Sequence, residues 1–298
     1  MKVIVTGGSG FIGSHIVDAL ADRGFEVHSI DVNQPDIRRN KKALYHNADI
    51  RQFDAIAPIV QDATYVFHCA ALPRVQYSIE YPMETHDINI NGTLSVLEAA
   101  RNGGVKRVIY SASSSAYGNQ ETMPLREDMP ANPISPYGLQ KYVGELKCRV
   151  WSEVYGLPTV SLRYFNVYGP RASHEGAYAL VIAKFLHQRS RGEPMTITGS
   201  GEQTRDYTHV RDVVAANLLA AESDSVGKGE VLNIGAGSNA SVNRIAELIG
   251  GPVEHIPPRL EPMHTLADNS RARSLLLWRP SVTLENGITE LKTLYSLA

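Results

Sequence analysis

The sequence predicts an α/β protein built on a doubly wound, parallel β-sheet, and two observations carry that prediction. Short runs rich in β-branched residues alternate with longer helical patterns through the first half of the chain. Strand–helix–strand repeats of this kind specify parallel strands covered by helices on both faces. In addition, a glycine-rich turn over residues 7–13 directly follows the first strand pattern and opens a helical one. The 298 residues, 43% of them hydrophobic, suffice for one large domain or two smaller ones.

The predicted elements follow in chain order. The strand candidates are Lys2–Thr6, Glu26–Asp31, Tyr65–Ala70, Arg107–Ser111 and Thr159–Tyr164. The helix candidates are Phe11–Arg23, Asp54–Val60, Glu84–Asn102 and Tyr137–Tyr155. We therefore expect a main domain over residues 1–166.

The second half of the chain differs in character. Beyond Gly169 and Pro170 the turn signals become denser and the helical patterns shorter. We expect residues 167–298 to form a smaller, partly irregular lobe. Asp206–Asn217 and Glu230–Ile234 again look like a helix and a strand. The lobe should therefore be interleaved with the main domain, to which the chain returns near residues 206–236.

Composition narrows the functional classes. The net charge of −2 and the pI of about 6.6 give no sign of a nucleic-acid partner. Cys69 and Cys148 form no disulfide framework, and the ten histidines show no metal-binding pattern. The N-terminus has no signal-peptide pattern, and no apolar run is long enough to span a bilayer. We expect a cytoplasmic protein without a metal and without a membrane partner.

The glycine-rich turn contains Gly7, Gly10 and Gly13. Such a turn lets backbone amides approach a pyrophosphate, and the helix that follows adds a favourable partial positive charge. The fold is therefore predicted to be of the Rossmann type. Asp31 ends the second strand, where a carboxylate accepts hydrogen bonds from a ribose 2′-hydroxyl and repels a 2′-phosphate, so NAD is favoured over NADP. Arg38 and Arg39, in the next loop, keep NADP open as an alternative.

Two further strand ends are candidates for cofactor contacts. Asp49 and Ile50 end a probable third strand, where they could contact the adenine. Cys69, Ala70 and Ala71 end the next strand, where small residues let a nucleotide lie against the sheet edge. Without the glycine turn, both would be interpreted as ordinary buried strand ends.

Tyr137 and Lys141 are four residues apart in a predicted helix and so share one face of it. A phenol is a poor base near neutral pH, and an ammonium one turn away would lower its pKa. Tyr137 could then remove a proton from a substrate hydroxyl. Alternatively the pair could be an ordinary helix surface.

Three motifs occur in the order of one known family. They are Thr6–Gly13, Ser111–Gly118 and the pair Tyr137 and Lys141 with three residues between them. Together they resemble the extended short-chain dehydrogenase/reductase family, and within it the nucleotide-sugar 4-epimerases. Arg163–Arg171, Gly201–Val210 and the segment after Ala267 extend the resemblance almost end to end.

The resemblance implies a role for each matched residue. Ser113 would hydrogen-bond the sugar O4, Tyr137 would be the base, and Lys141 would bind the nicotinamide ribose and lower the pKa of Tyr137. The implied cofactor contacts, besides Tyr137 and Lys141, are Gly7, Gly10, Phe11, Ile12, Gly13, Asp31, Asn33, Asp49, Ile50, Cys69, Ala70, Ala71, Asn89 and Phe165. The implied substrate contacts are Ser113, Tyr137, Asn166, Arg205, Arg259 and Thr265, with the two arginines clamping the diphosphate.

The implied reaction is NAD-dependent epimerisation at C4 of a UDP-hexose through a 4-keto intermediate. Ser114 and Ser115 occupy positions where sugar dehydratases and decarboxylases of the family typically carry an acid, which argues against those activities. Thr265 matches a position where a small residue admits a C2 N-acetyl group, so UDP-GlcNAc and UDP-GalNAc are expected substrates besides UDP-Glc and UDP-Gal. UDP-glucuronate epimerisation or decarboxylation, a nucleotide-sugar dehydratase or reductase, and a non-catalytic NAD-binding regulator remain as alternatives.

An apolar stripe follows the helix that carries Tyr137. Its members are Leu139, Val143, Leu146, Val150 and Val154. The helical periodicity predicts that the stripe packs in the core. In the family that this chain resembles, this helix and the one over Glu84–Asn102 pair across a dimer, so the resemblance also implies a homodimer.

Overall fold

The computed structural model describes residues 1–33, 39–174, 180–258 and 263–297. Within them the strands, in chain order, are β1 (Lys2–Thr6), β2 (Glu26–Asp31), β3 (Leu44–Asn47), β4 (Tyr65–His68), β5 (Arg107–Ser113), β6 (Thr159–Tyr164), β7 (Val167–Tyr168), β8 (Met195–Thr198), β9 (Thr204–Asp206), β10 (Thr208–His209), β11 (Lys228–Ile234), β12 (Asn239–Ser241) and β13 (Val253–Ile256).

The α-helices of the described chain are α1 (Phe11–Asp22), α2 (Phe53–Val60), α3 (Val75–Glu80), α4 (Pro82–His86), α5 (Thr93–Asn102), α6 (Pro136–Tyr155), α7 (Val181–Ser190), α8 (Val210–Glu222), α9 (Val242–Ile249), α10 (Ser270–Leu276) and α11 (Leu284–Leu294). A π-helical stretch over Asp87–Gly92 joins α4 to α5, and a short 3₁₀ turn over Ser114–Ala116 follows β5.

Seven strands form one parallel sheet in the order β11-β6-β5-β4-β1-β2-β3. The predicted doubly wound sheet is therefore confirmed. β1, β2 and β6 have the predicted bounds, β4 ends two residues earlier at His68, and β5 extends to Ser113. The third strand ends at Asn47, so Asp49 and Ile50 lie just beyond it rather than at its end.

The apolar run of β1 shows why this sheet is buried on both faces. Val3 and Val5 pack into the core cluster on one face, and Ile4 packs into the cluster on the other. Successive side chains of a strand point to opposite faces. A run that is apolar at every position is therefore what a doubly covered parallel strand requires.

The second half of the chain does return to this sheet, because β11 pairs in parallel with β6 at its edge. The predicted helix over Asp206–Asn217 is partly wrong: the helix begins at Val210, and Asp206 ends the short strand β9. Three two-stranded pairings, β7 with β10, β8 with β13 and β9 with β12, lie in this half. They accompany a third core cluster built around Phe185, Ile197 and Ile245.

The single helix predicted over Glu84–Asn102 is instead three consecutive helical segments, since the π stretch interrupts it. Asn89 lies in this stretch, and its backbone carbonyl accepts a hydrogen bond from the Thr93 hydroxyl (2.7 Å). π-helical turns inside α-helices occur often at functional sites. The widened turn carries Asn89 toward the loop after β4.

The apolar stripe on α6 is not in the core, so that prediction is wrong. Leu139, Val150 and Val154 are 50%, 40% and 65% exposed. The helix faces the sheet instead through small and polar residues. Gly144 is one of them, and a side chain there would overlap the Tyr110 ring. Close approach of the helix to the strand therefore requires glycine there. Over the described residues, none of the helices has the length and apolar character that crossing a bilayer requires.

Candidate active site

Tyr137 lies in the first turn of α6, at a well-defined helix start. Ser135 caps the helix by accepting a hydrogen bond from the Gly138 amide (3.1 Å), and Pro136 occupies the first helical position. The Tyr137 amide, which has no partner within the helix, donates to the Ser78 hydroxyl of α3 (3.0 Å). The Ser135 cap and the contact with Ser78 together fix the backbone of Tyr137.

Ser113 is brought next to Tyr137, as the sequence predicts. It is the last residue of β5, and its hydroxyl donates to the Ser115 hydroxyl (3.1 Å) and accepts from the Ser115 amide (3.2 Å). Burial raises the pKa of Tyr137, and a hydrogen bond with the Ser113 hydroxyl opposes that shift. Gly138 makes this approach possible, because a Cβ there would lie 2.6 Å from the Ser115 carbonyl oxygen.

Lys141 lies one turn further along α6 and is buried. Its ammonium donates to the Ser111 carbonyl oxygen (2.8 Å) and lies over the Tyr110 ring, 5.1 Å from its centroid. Burial lowers the pKa of Lys141 to about 8, while Cys69 and Glu145 oppose that shift. The ammonium therefore faces β5.

That Lys141 lowers the pKa of Tyr137 stays a prediction. Burial raises the pKa of Tyr137 above its ordinary value, and the groups that oppose this shift are Ser113 and the Arg74 guanidinium. Arg74 was not among the predicted site residues, because nothing in its sequence context marks it.

The glycine turn lies between β1 and α1. Gly7 has a left-handed φ of +69°, and a Cβ there would come within 2.7 Å of the Ala70 amide nitrogen. A side chain at Gly13 would overlap the Gly7 carbonyl oxygen. Phe11 and Ile12 open α1, whose N-cap is Gly10, without a side-chain cap from the described residues. The turn is thus a glycine cradle with helix-terminal N–H groups available to an anion.

Asp31 lies across from this cradle at the end of β2. One of its carboxylate oxygens accepts from the Ser9 amide (3.0 Å), and the other accepts from the Asn33 amide (2.9 Å). These bonds hold the carboxylate between the glycine turn and the loop after β2. Arg39 lies over the Tyr45 ring at 4.8 Å, while Arg38 falls outside the described residues.

Asp49 is held by a guanidinium. Arg51 donates to both Asp49 oxygens, through Nε at 3.0 Å each, and reaches Asp87 through Nη1 (2.7 Å). Ile50 is buried against Gly92, at the end of the π-helical stretch. The predicted adenine-side pair therefore joins the loop after β3 to the segment that carries Asn89.

The strand end after β4 is fixed by a buried polar network. The Ala70 amide donates to the Thr6 hydroxyl (3.2 Å), and the Ser111 hydroxyl donates to the Cys69 sulfur (3.2 Å). Burial raises the pKa of the Cys69 thiol to about 11, so it stays protonated. Ala71, next along, is half-buried at the same edge.

The Asn89 side chain hydrogen-bonds the loop after β4 and the side chain of Gln140. Its side chain accepts from the Leu72 amide (2.8 Å), donates to the Leu72 carbonyl (3.0 Å) and donates to the Gln140 side chain (2.7 Å). The bond to Gln140 links the segment that carries Asn89 to α6, the helix that carries Lys141. Phe165 is completely buried beside Tyr117.

Three of the predicted substrate residues, Asn166, Arg205 and Thr265, lie in neighbouring segments, since the Thr265 amide donates to the Thr204 carbonyl (3.1 Å). Asn166 donates to the Asp206 carbonyl (3.1 Å) and to the Thr265 hydroxyl (3.4 Å), and it has a left-handed φ of +29°. Arg205 donates to the backbone carbonyls of Thr204 (2.9 Å) and Met263 (3.1 Å). Arg259 lies outside the described residues.

Asp206 holds these segments together and was not predicted as a site residue. Its buried carboxylate accepts from the amides of Ala236 (2.7 Å), Gly237 (3.0 Å) and Ala267 (3.1 Å). Burial raises its pKa to about 6, although these amides oppose the shift. The signal in the sequence was its place beside Arg205.

The chain also matches known proteins. The profile of the NAD dependent epimerase/dehydratase family matches residues 3–235. The chain belongs to that family. A putative UDP-glucose 4-epimerase of Methanocaldococcus jannaschii is 38% identical over 299 residues, which cover 96% of this chain and 95% of that one.

Solved structures of family members have the same fold. A UDP-glucose 4-epimerase from Thermotoga maritima, solved with UDP-glucose, superposes with a TM-score of 0.92 at 39% identity, over 99% of this chain and 100% of that one. A UDP-N-acetylglucosamine 4-epimerase from Methanobrevibacter ruminantium, solved with UDP-N-acetylmuramic acid, gives a TM-score of 0.91 at 36% identity, over 98% of each chain. The predicted family, fold and NAD dependence are thereby confirmed.

A buried ion pair behind this epimerase/dehydratase site also escaped the sequence analysis. Glu145 of α6 accepts from Arg163 of β6 through two bonds of 2.8 Å and 2.7 Å. The Arg163 guanidinium lies over the Tyr117 ring at 4.4 Å. The described residues contain no cluster of His, Cys, Asp and Glu that could hold a metal ion.

Proposed function

We propose that the protein catalyses the NAD-dependent epimerisation of a UDP-hexose at C4, through a 4-keto sugar. The observation that carries the proposal is the convergence of Ser113, Tyr137 and Lys141 at the carboxyl end of β5. In open α/β sheets, ligands bind outside the carboxyl ends of the strands. The glycine cradle and this triad lie at that edge, and they supply a cofactor site and an acid–base site.

The residues of the cradle fit NAD. A side chain at Gly7 would meet the Ala70 backbone, so this space is open only because the residue is glycine. The N-terminus of α1 suits the pyrophosphate, and the Asp31 carboxylate suits an unphosphorylated ribose. Bound NAD would supply hydride acceptance and return at C4 of the sugar. Lys141 would hold the nicotinamide ribose, and Phe165 would line the pocket.

Tyr137 and Ser113 would carry out the proton transfer at O4 of the sugar. Tyr137 would accept the O4 proton of the sugar as hydride leaves C4, and would return a proton to O4 after the keto sugar has turned its other face. Ser113 would hydrogen-bond O4 and keep it aligned with the phenol. General acid–base catalysis by a positioned side chain contributes roughly 10²- to 10⁴-fold to a rate.

The UDP-sugar would extend from this triad toward the second half of the chain. Asn166 and Thr265, whose side chains hydrogen-bond each other, would line the sugar and phosphate region. Arg205 and Arg259 would clamp the diphosphate, since guanidinium groups bind phosphate oxygens in pairs. On this account residues 1–166 form the NAD domain, and residues 167–298 form the substrate lobe.

The substrate range should include N-acetylated sugars. Thr265 is small and half-exposed, which leaves room for a C2 N-acetyl group. The similarity to a UDP-N-acetylglucosamine 4-epimerase solved with UDP-N-acetylmuramic acid supports this range. We therefore propose UDP-GlcNAc and UDP-GalNAc as substrates beside UDP-Glc and UDP-Gal.

Dehydration or decarboxylation of the sugar fits the site less well. Those reactions need a further acid–base group near the catalytic serine, and Ser114 and Ser115 hold the two positions that follow it. A hydroxyl does not exchange protons at neutral pH as a carboxylate does. This difference supports epimerisation over the other activities of the family.

The homodimer and the cytoplasmic location are part of the same proposal. The exposed apolar residues Leu139, Val150 and Val154 of α6, with Leu94 of α5, offer an apolar surface of the kind that protein interfaces bury. Both cysteines are free thiols, as expected in a reducing compartment.

The experiment that tests the function needs no added cofactor. The purified protein is incubated with UDP-Gal, UDP-GalNAc, UDP-Glc, UDP-GlcNAc and UDP-glucuronate in turn, and the products are examined by NMR. We expect the C4 epimer from the hexoses and N-acetylhexosamines, with the Tyr137→Phe variant as an inactive control. If no substrate yields a C4 epimer, the proposal is wrong.

A further inference from the structure

Asp206, at the end of β9, lies where three of the predicted substrate residues meet. It directly follows Arg205 in the chain. Its backbone carbonyl accepts a hydrogen bond from the Asn166 side chain (3.1 Å), and its amide donates to the Thr265 hydroxyl (3.4 Å). The main chain of Asp206 therefore connects the three residues that would bind the UDP-sugar.

The carboxylate of Asp206 fixes two further segments. One oxygen accepts from the Ala236 amide (2.7 Å), and the other accepts from the amides of Gly237 (3.0 Å) and Ala267 (3.1 Å). Ala236 and Gly237 follow β11 of the seven-stranded sheet, whereas Ala267 lies two residues after Thr265. The side chain thus ties the segment that carries Thr265 to the carboxyl end of a strand of the main sheet.

Gly235 leaves room for this carboxylate. A Cβ at that position would lie 2.9 Å from a carboxylate oxygen of Asp206 and would overlap the Ala267 side chain. The Gly235 carbonyl is held in turn by the Asn269 side chain, which donates to it (2.8 Å). The turn after β11 therefore fits the carboxylate closely, and glycine is required there.

The three amides need an ionised carboxylate. Asp206 is completely buried, away from water that could stand in for a lost partner. An ionised carboxylate only accepts hydrogen bonds, whereas a carboxamide or a protonated acid turns a hydrogen toward one of the N–H groups. A buried amide that is left without an acceptor costs free energy. A neutral group at position 206 should therefore displace at least one of the two segments.

We propose that Asp206 is a positioning residue for substrate binding, whose carboxylate holds Arg205, Asn166 and Thr265 in the arrangement that binds the UDP-sugar. The inference rests on the proposed function to the extent that these three residues contact the substrate. The groups proposed for proton transfer lie on other elements, β5 and α6. Loss of the carboxylate should therefore weaken substrate binding far more than it slows the reaction of bound substrate.

Asp212 of α8 offers a matched control. It is also a buried aspartate in the second half of the chain. Its carboxylate accepts from the Ser281 amide (2.9 Å), the Ser281 hydroxyl (2.6 Å) and the Val282 amide (3.1 Å). Neither partner is a predicted substrate residue. Asp212→Asn therefore removes a similar buried carboxylate without changing the contacts of Asp206.

The test compares Asp206→Asn with Asp212→Asn in the purified protein with its bound nucleotide. Both variants should lower the free energy of unfolding, measured by urea titration. Asp206→Asn alone should raise KM for UDP-Gal by roughly 10- to 100-fold with kcat retained, since it loses ground-state binding. Gly235→Ala crowds the carboxylate but keeps its charge, and this second variant should raise KM in the same way.

Direct binding gives a readout without turnover. The dissociation constant of UDP-Gal is measured by calorimetry in the Tyr137→Phe background, where proton transfer is blocked. Asp206→Asn should raise this constant by the same factor as KM, and Asp212→Asn should leave it in place.

Equal increases of KM in Asp206→Asn and Asp212→Asn would overturn the inference, and so would a fall in kcat at unchanged KM. Either result would assign Asp206 a role in folding alone. Failure of the proposed function would look different. A wild-type protein that forms no C4 epimer, yet binds UDP-Gal more tightly than Asp206→Asn does, would contradict the epimerase proposal and support the role of Asp206.

Discussion

The ammonium of Lys141 donates a hydrogen bond to the carbonyl oxygen of Ser111, at 2.8 Å. This contact turns the side chain toward β5, where the nicotinamide end of the cofactor would lie. In the proposed function Lys141 would bind the cofactor, and its protonation state is then a measurable property of the site.

The first prediction concerns pH. Burial lowers the pKa of Lys141 to about 8, so the ammonium is present below that pH and is lost as pH rises through it. If catalysis needs the ammonium, kcat/KM should fall on the alkaline side near pH 8. A Lys141→Arg variant keeps its charge over this range. Its rate, although lower, should lack that fall, and an identical alkaline fall in both proteins would contradict the assignment.

The second prediction concerns the acid–base pair. Tyr137→Phe should lower kcat by roughly 10²- to 10⁴-fold, because the proton acceptor is removed while the ring remains. Ser113→Ala should lower it by a smaller factor. Bound NAD, measured after heat release, should be unchanged in both. Loss of nucleotide together with activity would indicate a damaged fold instead of a missing catalytic group.

The third prediction concerns the sugar pocket. Thr265 contacts Asn166, so a bulky residue at position 265 would fill the space beside it. Thr265→Tyr should reduce kcat/KM for UDP-GalNAc at least tenfold more than for UDP-Gal. The tyrosine ring would overpack the pocket and exclude the C2 N-acetyl group, which is larger than the C2 hydroxyl. Thr265→Ser, which keeps the hydroxyl, is the control. Equal losses on the two substrates would show that the size of residue 265 does not decide whether a C2 N-acetyl group is accepted.

The fourth prediction concerns the approach of α6 to the catalytic serine. A Cβ at Gly138 would lie 2.6 Å from the Ser115 carbonyl oxygen, which is closer than such atoms pack. Gly138→Ala should therefore push the Tyr137 turn away from Ser113 and lower kcat by tenfold or more. Leu139→Ala, on the exposed side of the same turn, should leave kcat within twofold. Full activity of Gly138→Ala would mean that the spacing is not critical.

The fifth prediction concerns stability. Glu145→Gln leaves the Arg163 guanidinium buried without its carboxylate partner, and removal of one member of a buried ion pair costs about 3–5 kcal/mol. The free energy of unfolding, from urea titration of the holoprotein, should fall by that amount. Asp128→Asn, which breaks an exposed pair with Arg126, should have no measurable effect. A small loss of unfolding free energy for Glu145→Gln would indicate that stacking on the Tyr117 ring is enough to stabilise the buried Arg163 guanidinium.

The sequence was sufficient for most of the sheet because parallel strands buried on both faces carry continuous apolar runs, as at residues 3–5 of β1. It was sufficient for the cofactor cradle because Gly7 and Gly13 occupy positions where a side chain would overlap the backbone. These requirements are local, and local patterns reveal them.

The sequence could not predict the long-range contacts. The apolar residues of α6 were assigned to the core, since periodicity cannot show that the helix packs through Gly144 on Tyr110. The direction of the Lys141 ammonium depends on a carbonyl 30 residues away. Each of these is a property of tertiary structure.

The most direct test of the central claim follows the hydrogen at C4. UDP-galactose carrying deuterium at C4 is converted in ordinary water by the purified protein without added cofactor, and the product is examined by NMR. Hydride removed and returned within one site predicts that UDP-glucose retains deuterium at C4. Replacement of that deuterium by hydrogen from water would show that C4 exchanges as a proton, and would contradict oxidation and reduction at C4 by the bound nucleotide.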